Sequence, residues 1–200
     1  PVAGALAQVQ RLIAELPNGA SRQRAAEVET SLEGLAHLAE KLLQLSRAES
    51  GIGLVTRPVD VVSVVKLVVE EFSRRPANAG RLMLDLPAAP PMRQADIDAL
   101  GIILRNLIEN ALIHGPAGDP VHVSCALDGR ISIRNGGPVV SGETLHVLKK
   151  RFRRGGSRAS GSGLGLAIAS KLVAQMGGAL DLRSPASGRK DGFEAVVTLA

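Results

Sequence analysis

The first fifty residues carry a helical periodicity that limits how the chain can bury its apolar surface. Six apolar positions recur after steps of four, three, three, four and three residues: Val28, Leu32, Leu35, Leu38, Leu42 and Leu45. This spacing is typical of a coiled-coil or helix-bundle seam, with charged residues such as Glu29 and Lys41 lying off it. A shorter apolar periodicity at residues 6–16 predicts a preceding helix, and Pro17-Asn18-Gly19 predicts the turn between the two.

Two helices cannot enclose a core by themselves, so their apolar faces need a partner. We expect residues 1–50 to form a dimerisation hairpin, in which two copies of the chain build a four-helix bundle. The alternative is an intramolecular pair of helices that packs on the rest of the chain. Residues 50–53, Ser-Gly-Ile-Gly, interrupt the periodicity and predict a hinge or domain boundary, with a second domain over 54–200.

From residue 54 onwards, strand and helix patterns are interspersed. The first predicted elements are an extended piece at 54–58, a helix capped by Asp60 and running to about Arg75, and a half-buried strand along which Leu82, Leu84 and Leu86 alternate with other residues. A long helix from Asp96 to His114, stopped by Gly115, and a hairpin over 121–133 that turns at Asp128-Gly129 are predicted next. Helices near 143–150 and 163–176 and two final strands complete the prediction. This mixture predicts a two-layer α/β sandwich, so the chain as a whole is α+β.

The formal charge of +5 comes from one segment. Six of the 24 basic residues lie between positions 149 and 158, which leaves 18 basic against 19 acidic residues elsewhere: Lys149, Lys150, Arg151, Arg153, Arg154 and Arg158. Such a patch can indicate a nucleic-acid partner. With three Phe and no Trp or Tyr, however, the chain lacks the aromatic residues for stacking several bases, and we expect no nucleic-acid partner.

Cysteine content and hydropathy exclude further classes. The single cysteine, Cys125, excludes an internal disulfide framework and a multi-cysteine zinc site, and its apolar strand predicts a buried, inert thiol. No apolar run approaches the ~20 residues that span a bilayer. The sequence has no signal peptide and no initial Met, and we therefore expect that it begins within a longer protein.

The long helix carries two amides on one face. Asn106 and Asn110 are four positions apart, and His114 extends the same row by another turn. Amides are poor helix formers, so two of them opposite Leu107 and Leu112 need a reason. One interpretation is a solvated polar face. The other is an amide oxygen that coordinates Mg²⁺, a hard cation that takes oxygen ligands and bridges to phosphates.

Two glycine-containing segments are the other candidates for a binding site. Asn135-Gly136-Gly137-Pro138 follows a strand; Asn135 can accept from an exocyclic amine, and Gly137 leaves space for a planar ring, although an ordinary turn is the alternative. Residues 161–166, Gly-Ser-Gly-Leu-Gly-Leu, lead into a helix whose free N–H groups favour an anion. They match neither a P-loop nor a dinucleotide fingerprint, and a plain flexible loop is the alternative.

Taken in order, these motifs resemble the ATP-binding domain of sensor histidine kinases. The order is Asn-x-x-x-Asn on a helix, Asn-Gly-Gly-Pro after a strand, Arg-Phe-Arg-Arg-Gly at 151–155, and then Gly-Ser-Gly-Leu-Gly-Leu. This family belongs to the wider ATPase class that includes gyrase and the Hsp90 chaperones. The resemblance covers residues 54–200 and implies a Bergerat-type fold with a mixed sheet. Residues 45–51 look like the end of the family's second dimerisation helix, and residues 1–6 look like the stretch immediately after its phosphoacceptor motif, His-Glu-x-x-Thr/Asn-Pro.

The resemblance implies roles for individual residues. Asn110 would be the Mg²⁺ ligand, and Asn106 would line the phosphate end of the ATP site. Asn135 would face the adenine amine, with Gly137 as the pocket floor. The other implied ATP-binding positions belong to a lid that closes over the phosphates, or replace a family cation: Phe152, Arg154, Gly161, Gly163, Leu164, Gly165, Leu166 and His114.

Two positions depart from the family's usual pattern. Asn135 stands where the family usually has Asp; an amide can still accept a hydrogen bond but lacks the charge. Ile113 stands where Lys or Arg is common, so His114 or a lid arginine would take over contact with phosphate.

As a whole, the resemblance implies the catalytic core of a two-component sensor histidine kinase. It would bind ATP and Mg²⁺, pass the γ-phosphoryl group to a His upstream of Pro1, and then to an Asp of a response-regulator receiver domain. We therefore expect no catalytic residue in this chain, no autophosphorylation of it, a homodimer through the N-terminal helices, and a place on the cytoplasmic side of a bacterial inner-membrane protein. A degenerate nucleotide-binding or dimerisation module and a non-kinase ATPase of the same class are the alternatives.

Overall fold

The computed structural model describes residues 2–50, 54–89, 91–148 and 163–200. The chain divides into two compact units, Pro1–Ser46 and Arg47–Ala200. The domain boundary predicted at residues 50–53 lies, apart from Ser50, outside the described residues.

The first unit is helical, as predicted. Helix α1 runs from Val2 to Glu15, and helix α2 begins at Ala20 and ends at Ser50, four residues beyond the last residue of this unit. Three residues of the predicted seam are open to solvent within a single chain, with exposed fractions of 48% for Val28, 55% for Leu35 and 44% for Leu42. These three residues form an exposed apolar row, which is typical of a surface that a partner covers.

The second unit contains a mixed sheet and its helices. Its elements in chain order are β1 (Arg57–Asp60), α3 (Val61–Ser73), β2 (Leu82–Asp85), β3 (Met92–Ala95), α4 (Ile97–His114), β4 (Val121–Cys125), β5 (Ile131–Asn135), α5 (Gly142–Leu148), α6 (Gly165–Gln175), β6 (Ala179–Arg183) and β7 (Phe193–Thr198). Five strands form one sheet in the order β2-β4-β5-β7-β6, and β1 and β3 form a separate pair. Strands β2 and β4 are parallel, and the other neighbours are antiparallel, so the sheet is mixed as the resemblance implied.

Alternating burial gives the large sheet one covered face. Val121, Val123 and Cys125 of β4 are buried, as are Ile131 and Ile133 of β5, whereas the residues between them are only half-buried. The buried row faces α4 and α6, which pack against each other and against the sheet. This arrangement is the predicted two-layer sandwich, and burial raises the pKa of the Cys125 thiol, as expected for an inert cysteine.

Both predicted helix caps are present. The Asp60 carboxylate accepts from the Ser63 amide at 3.1 Å and begins α3, and the Asp96 carboxylate accepts from the Ala99 amide at 2.9 Å and begins α4. Helix α4 ends at His114 with Gly115 as its cap, as predicted. Gly115 has an ordinary φ of −71°, so it does not end the helix through the left-handed conformation that glycine caps usually adopt.

The prediction for β2 was partly wrong, and β3 was missed. Leu84 was expected on the half-buried alternation but is 44% exposed, because β2 is an edge strand of the sheet. Strand β3 has no apolar alternation; it forms because it pairs antiparallel with β1, with Arg57 opposite Ala95. Among the described residues, no helix is both long and apolar enough to cross a membrane.

Candidate functional site

Helix α4 is the element on which the candidate residues are arranged. Its apolar face is fully buried between α6 and the sheet through Leu100, Ile103, Leu104, Leu107 and Ile108. A helix held on this many side chains is a rigid support. Since an α-helix rises by about 1.5 Å per residue, Asn106 and His114 lie roughly 12 Å apart along the axis of α4.

Asn106 lies in the core rather than on a solvated face. Only 1% of the residue is exposed, and its amide nitrogen donates to the Ile102 carbonyl at 2.8 Å. A methyl group at Gly165, the first residue of α6, would lie 3.1 Å from the Asn106 amide oxygen. The solvated-face alternative is therefore wrong for Asn106, which joins the middle of α4 to the start of α6.

Asn110 and His114 lie progressively closer to solvent. Asn110 is half-buried, and its amide makes no hydrogen bond to the residues that the structure describes. His114 is exposed overall, but partial removal of water from its ring lowers its pKa below the ordinary value of 6.5. The lower pKa favours the uncharged imidazole at pH 7.

The C-terminal end of α4 meets the turn that follows β5. A methyl group at Gly115 would lie 2.8 Å from the Ala111 carbonyl oxygen and 3.2 Å from the Asn135 Cβ. One at Gly136 would lie 2.9 Å from a carboxylate oxygen of Asp119. Gly115 therefore lets the end of α4 lie against Asn135, whereas at Gly136 the group that a side chain would meet is the flexible Asp119 carboxylate.

Asn135 is the most unusual polar residue of this region. It is 4% exposed, and its amide nitrogen donates to the Gly136 carbonyl at 2.7 Å. Its amide oxygen is buried and has no hydrogen-bond partner in the described part of the chain. A buried acceptor without a donor is unfavourable by about 1–3 kcal/mol, which makes this oxygen a candidate contact for a ligand donor. Gly137, two residues after Asn135, has a φ of +127°, a conformation that favours glycine.

The start of α6 supplies backbone rather than side-chain groups. Gly163 has a φ of +69°, and Leu164 is the N-cap of α6 without a side-chain hydrogen bond to the helix. The side chains of Leu164 and Leu166 are buried in the core, at 0% and 8% exposure. For Leu166 the predicted contact with a ligand would therefore involve its backbone N–H, because the first turn of a helix leaves its N–H groups without intrahelical partners.

Three of the predicted site residues lie outside the described residues: Phe152, Arg154 and Gly161. The same is true of the whole basic segment, 149–158. The other nine predicted residues lie on α4, at the end of β5 and in the turn that follows it, and at the start of α6: Asn106, Asn110, His114, Asn135, Gly137, Gly163, Leu164, Gly165 and Leu166.

The described residues provide few metal ligands. Within 2–50, 54–89, 91–148 and 163–200, no group of three or more His, Cys, Asp or Glu residues is placed to hold a metal ion. A Mg²⁺ ion here would accordingly depend on single oxygen ligands such as the half-buried amide of Asn110, with phosphate oxygens and water completing its shell.

Sequence reasoning missed the loop between β6 and β7. Residues 184–192 contact the turn after β5 through Gly192, whose amide donates to the Gly137 carbonyl at 2.7 Å. The segment reads as an ordinary polar loop, and only its position in the fold brings it to Asn135.

Several known proteins are similar to this chain. Residues 95–200 match the family model for histidine kinase-, DNA gyrase B- and HSP90-like ATPases. Sensor protein KdpD of Rathayibacter rathayi is 32% identical over 188 residues, which is 92% of this chain and 21% of that protein. Sensor protein QseC of Salmonella typhimurium is 30% identical over 200 residues, which is 96% of this chain and 43% of that protein. The chain thus spans less than half the length of these relatives.

Solved structures of histidine kinases share the fold. The structure of full-length ShkA in complex with AMPPNP has a TM-score of 0.76 and 28% identity, and it covers 100% of this chain and 44% of that one. A mycobacterial sensor histidine kinase, MprB, has a TM-score of 0.62 and 27% identity, and it covers 72% of this chain and 97% of that one.

Proposed function

The chain belongs to the family of histidine kinase-, DNA gyrase B- and HSP90-like ATPases, and on that premise we propose that its second unit binds Mg-ATP along α4. The observation that carries the proposal is the buried amide oxygen of Asn135, which lacks a partner among the described residues. The exocyclic amine of adenine would donate to this oxygen, and Gly137 would underlie the ring. Adenine would thereby remove the energetic penalty of an unpaired buried acceptor.

The remainder of the nucleotide would run along α4 towards the start of α6. Asn110 lies between Asn135 and the Asn106–Gly165 junction, and its amide oxygen is a suitable ligand for Mg²⁺. The ion, when bound, supplies positive charge to phosphate oxygens. The N–H groups of Gly165 and Leu166 would meet the phosphates, because the first turn of a helix favours anions.

The lid residues remain part of the proposal on sequence grounds. Phe152, Arg154 and Gly161 lie between the two ends of this site in the chain, within or just after the segment that holds the six clustered basic residues. We expect this charge to contact the phosphates when nucleotide is bound, with glycines 155, 156 and 161 allowing the segment to close.

We further propose that the γ-phosphoryl group passes to a histidine outside these 200 residues and then to an aspartate of a response-regulator receiver domain. The relatives are named sensor proteins and extend well beyond the part that matches this chain. The four histidines here are followed by Leu, Gly, Val and Val rather than the Glu of the phosphoacceptor motif: His37, His114, His122 and His146. We therefore expect no phosphohistidine on this chain after incubation with ATP.

The exposed seam of α2 supports dimerisation. Val28, Leu35 and Leu42 lie one heptad apart and are each more than two-fifths exposed, so a second copy would bury them in a four-helix bundle. In the full protein we place this core on the cytoplasmic side of a bacterial inner-membrane sensor.

Calorimetric titration of the chain tests the nucleotide proposal. We expect saturable Mg-ATP binding that weakens when EDTA removes the metal. Asn110→Ala should weaken Mg-ATP binding by about tenfold or more and reduce the effect of EDTA, since the metal loses its protein ligand. The matched control is Gln94→Ala, which removes an exposed amide from β3 and should leave the affinity unchanged.

Other outcomes would select the alternatives. Absence of saturable ATP binding by the folded chain would overturn the proposal and favour a degenerate dimerisation module. Steady release of inorganic phosphate from bound ATP, without a histidine acceptor, would favour a non-kinase ATPase.

A further inference from the structure

The loop between β6 and β7 lies directly against the backbone that carries Asn135. Its last residue, Gly192, is buried and has a φ of +83°, and its amide donates to the Gly137 carbonyl at 2.7 Å. A methyl group at Gly192 would lie 2.5 Å from the Asn135 carbonyl oxygen. The backbone of residues 135–137 therefore cannot move without moving the end of this loop.

One hydroxyl group joins the two ends of the loop to the segment after the turn. Ser184 begins the loop, and its hydroxyl donates to the Gly192 carbonyl at 2.6 Å. The same oxygen accepts from the Val140 amide at 2.9 Å. Ser184 thus contacts the segment after the turn at Val140, and Gly192 contacts the turn itself at Gly137.

A buried carboxylate holds the middle of the loop. Glu194 of β7 is 4% exposed, and it accepts from the Ser187 amide at 3.0 Å and from the hydroxyls of Ser187 and Ser132, both at 2.5 Å. Burial by itself would raise the pKa of Glu194, but these hydrogen bonds together lower it below its ordinary value of 4.5. The loop is consequently attached to β5 and β7 by a carboxylate that is ionised at neutral pH.

The orientation of the Asn135 amide depends on this backbone. Its nitrogen must be the atom that faces the Gly136 carbonyl at 2.7 Å, because two carbonyl oxygens at that distance would repel. The free oxygen can then accept a hydrogen bond from a ligand amine, whereas a ligand carbonyl has no hydrogen to donate to it. A purine with a carbonyl at its 6 position would require the amide to turn over, which sacrifices the bond to Gly136.

We propose that Ser184 is a positioning residue for nucleotide recognition, which fixes the turn after β5 so that the site selects a 6-amino over a 6-oxo purine. The proposal rests on the proposed function, because it concerns the same nucleotide site. Ser184 touches the backbone of Val140 and Gly192 and acts on the ligand only through them. Loss of its hydroxyl leaves the turn free to admit the other orientation of the Asn135 amide.

Titrations of the whole chain with three compounds test this role. ATP, inosine triphosphate and inorganic tripolyphosphate separate the contribution of the 6-amino group from that of the phosphates. We expect Ser184→Ala to weaken ATP binding by about tenfold, to shrink the preference for ATP over inosine triphosphate, and to leave tripolyphosphate binding unchanged. Ser184→Thr retains the hydroxyl and should restore both ATP affinity and preference. The matched control is Ser73→Ala, which removes a hydroxyl that donates within α3, to the Val69 carbonyl at 2.8 Å.

Failure of ATP binding and failure of the role of Ser184 give different results. If the unmodified chain binds no ATP, the proposed function fails and the inference fails with it. If it binds and prefers ATP, but Ser184→Ala keeps the same preference, the inference alone is overturned. An equal loss of ATP and tripolyphosphate binding would also overturn it, since that indicates a general structural effect.

A second variant covers the case in which Ser184→Ala does not fold. Glu194→Gln keeps the shape of the side chain but removes the charge that holds Ser187, so it loosens the same loop from its other side. It should reduce the preference for ATP while leaving tripolyphosphate binding unchanged. An undiminished preference in folded Glu194→Gln would contradict the inference.

Discussion

At the scale of single residues, the region around Asn135 depends on positions that have no side chain. Methyl groups at Gly115, Gly136 and Gly192 would each lie within 3 Å of another atom: 2.8 Å from the Ala111 carbonyl oxygen, 2.9 Å from an Asp119 carboxylate oxygen and 2.5 Å from the Asn135 carbonyl oxygen. Two of these three neighbours are backbone atoms, which cannot turn aside as a flexible side chain can.

Substitutions at two glycines of the β6–β7 loop distinguish the effect of steric contact from that of backbone strain. Gly188 and Gly192 have φ values of +75° and +83°, but a methyl group at Gly188 would meet nothing within 4 Å. We expect Gly188→Ala to lower the free energy of unfolding by about 1 kcal/mol, from the left-handed backbone alone. Gly192→Ala adds the contact with Asn135, and we expect it to lower that free energy by about 3 kcal/mol. Urea unfolding measures both, and equal losses for the two variants would show that the close approach does not matter.

The contacts of some single residues could be predicted from the sequence, and those of others could not. The caps Asp60 and Asp96 were predictable because each contacts an amide three positions away. The burial of Asn106 was not, because its neighbour Gly165 is 59 positions distant and a helical pattern carries no information about such a contact.

At the scale of elements, α4 carries candidate site residues and connects β3, of the two-stranded sheet, to β4, of the five-stranded sheet. The Asp96 carboxylate that caps it also accepts from the Val55 amide at 2.9 Å, on the segment that leads into β1. One side chain therefore fixes both the start of the helix and the path of the chain 41 positions earlier.

Because Asp96 accepts from two amides, its removal should lower the free energy of unfolding by more than the removal of an ordinary helix cap. We expect Asp96→Ala to lower the free energy of unfolding by about 2 kcal/mol, the upper end of the range for helix caps, because a second amide also loses its acceptor. The matched control is Asp98→Ala, in the first turn of the same helix, where we expect a change of only a few tenths of a kcal/mol. Chemical denaturation monitored by circular dichroism compares them, and a loss for Asp96→Ala no larger than that of the control would exclude the double role.

Elements with a strong local pattern were predicted, and those without one were not. The Asp128-Gly129 turn predicted the β4–β5 hairpin, and Gly129 adopts the expected positive φ of +77°. Strand β3 escaped prediction because its residues, Met-Arg-Gln-Ala, have no apolar alternation and become a strand only through pairing with β1.

At the scale of the whole molecule, the chain combines a second unit with a closed core and a first unit with an open seam. The sheet and helices of the second unit bury their apolar faces against each other. In the first unit, Leu35 remains 55% exposed, in the middle of a heptad series. An exposed apolar series of this kind is typical of a surface that a partner covers.

Disruption of the seam tests the proposed homodimer. We expect the chain to sediment as a dimer and Leu35→Glu to shift it to a monomer, because two charged side chains would face each other across the seam. Leu67→Glu is the matched control, since Leu67 is a 64% exposed leucine on α3 of the second unit. Sedimentation equilibrium measures the masses, and a dimer that survives Leu35→Glu would contradict assembly through this seam.

The sequence by itself determined the helical seam, the two caps, the β4–β5 hairpin and the order of the motifs that resemble those of sensor histidine kinases. These features arise from interactions within a few residues along the chain or from a repeated spacing. Tertiary structure alone decided that Asn106 is buried, that the Asn135 amide oxygen has no partner among the described residues, and that Ser184 and Gly192 meet the turn after β5. Each of these depends on contact between segments that are distant in the chain, where packing and the available space, rather than local conformational preference, determine the neighbour of each atom.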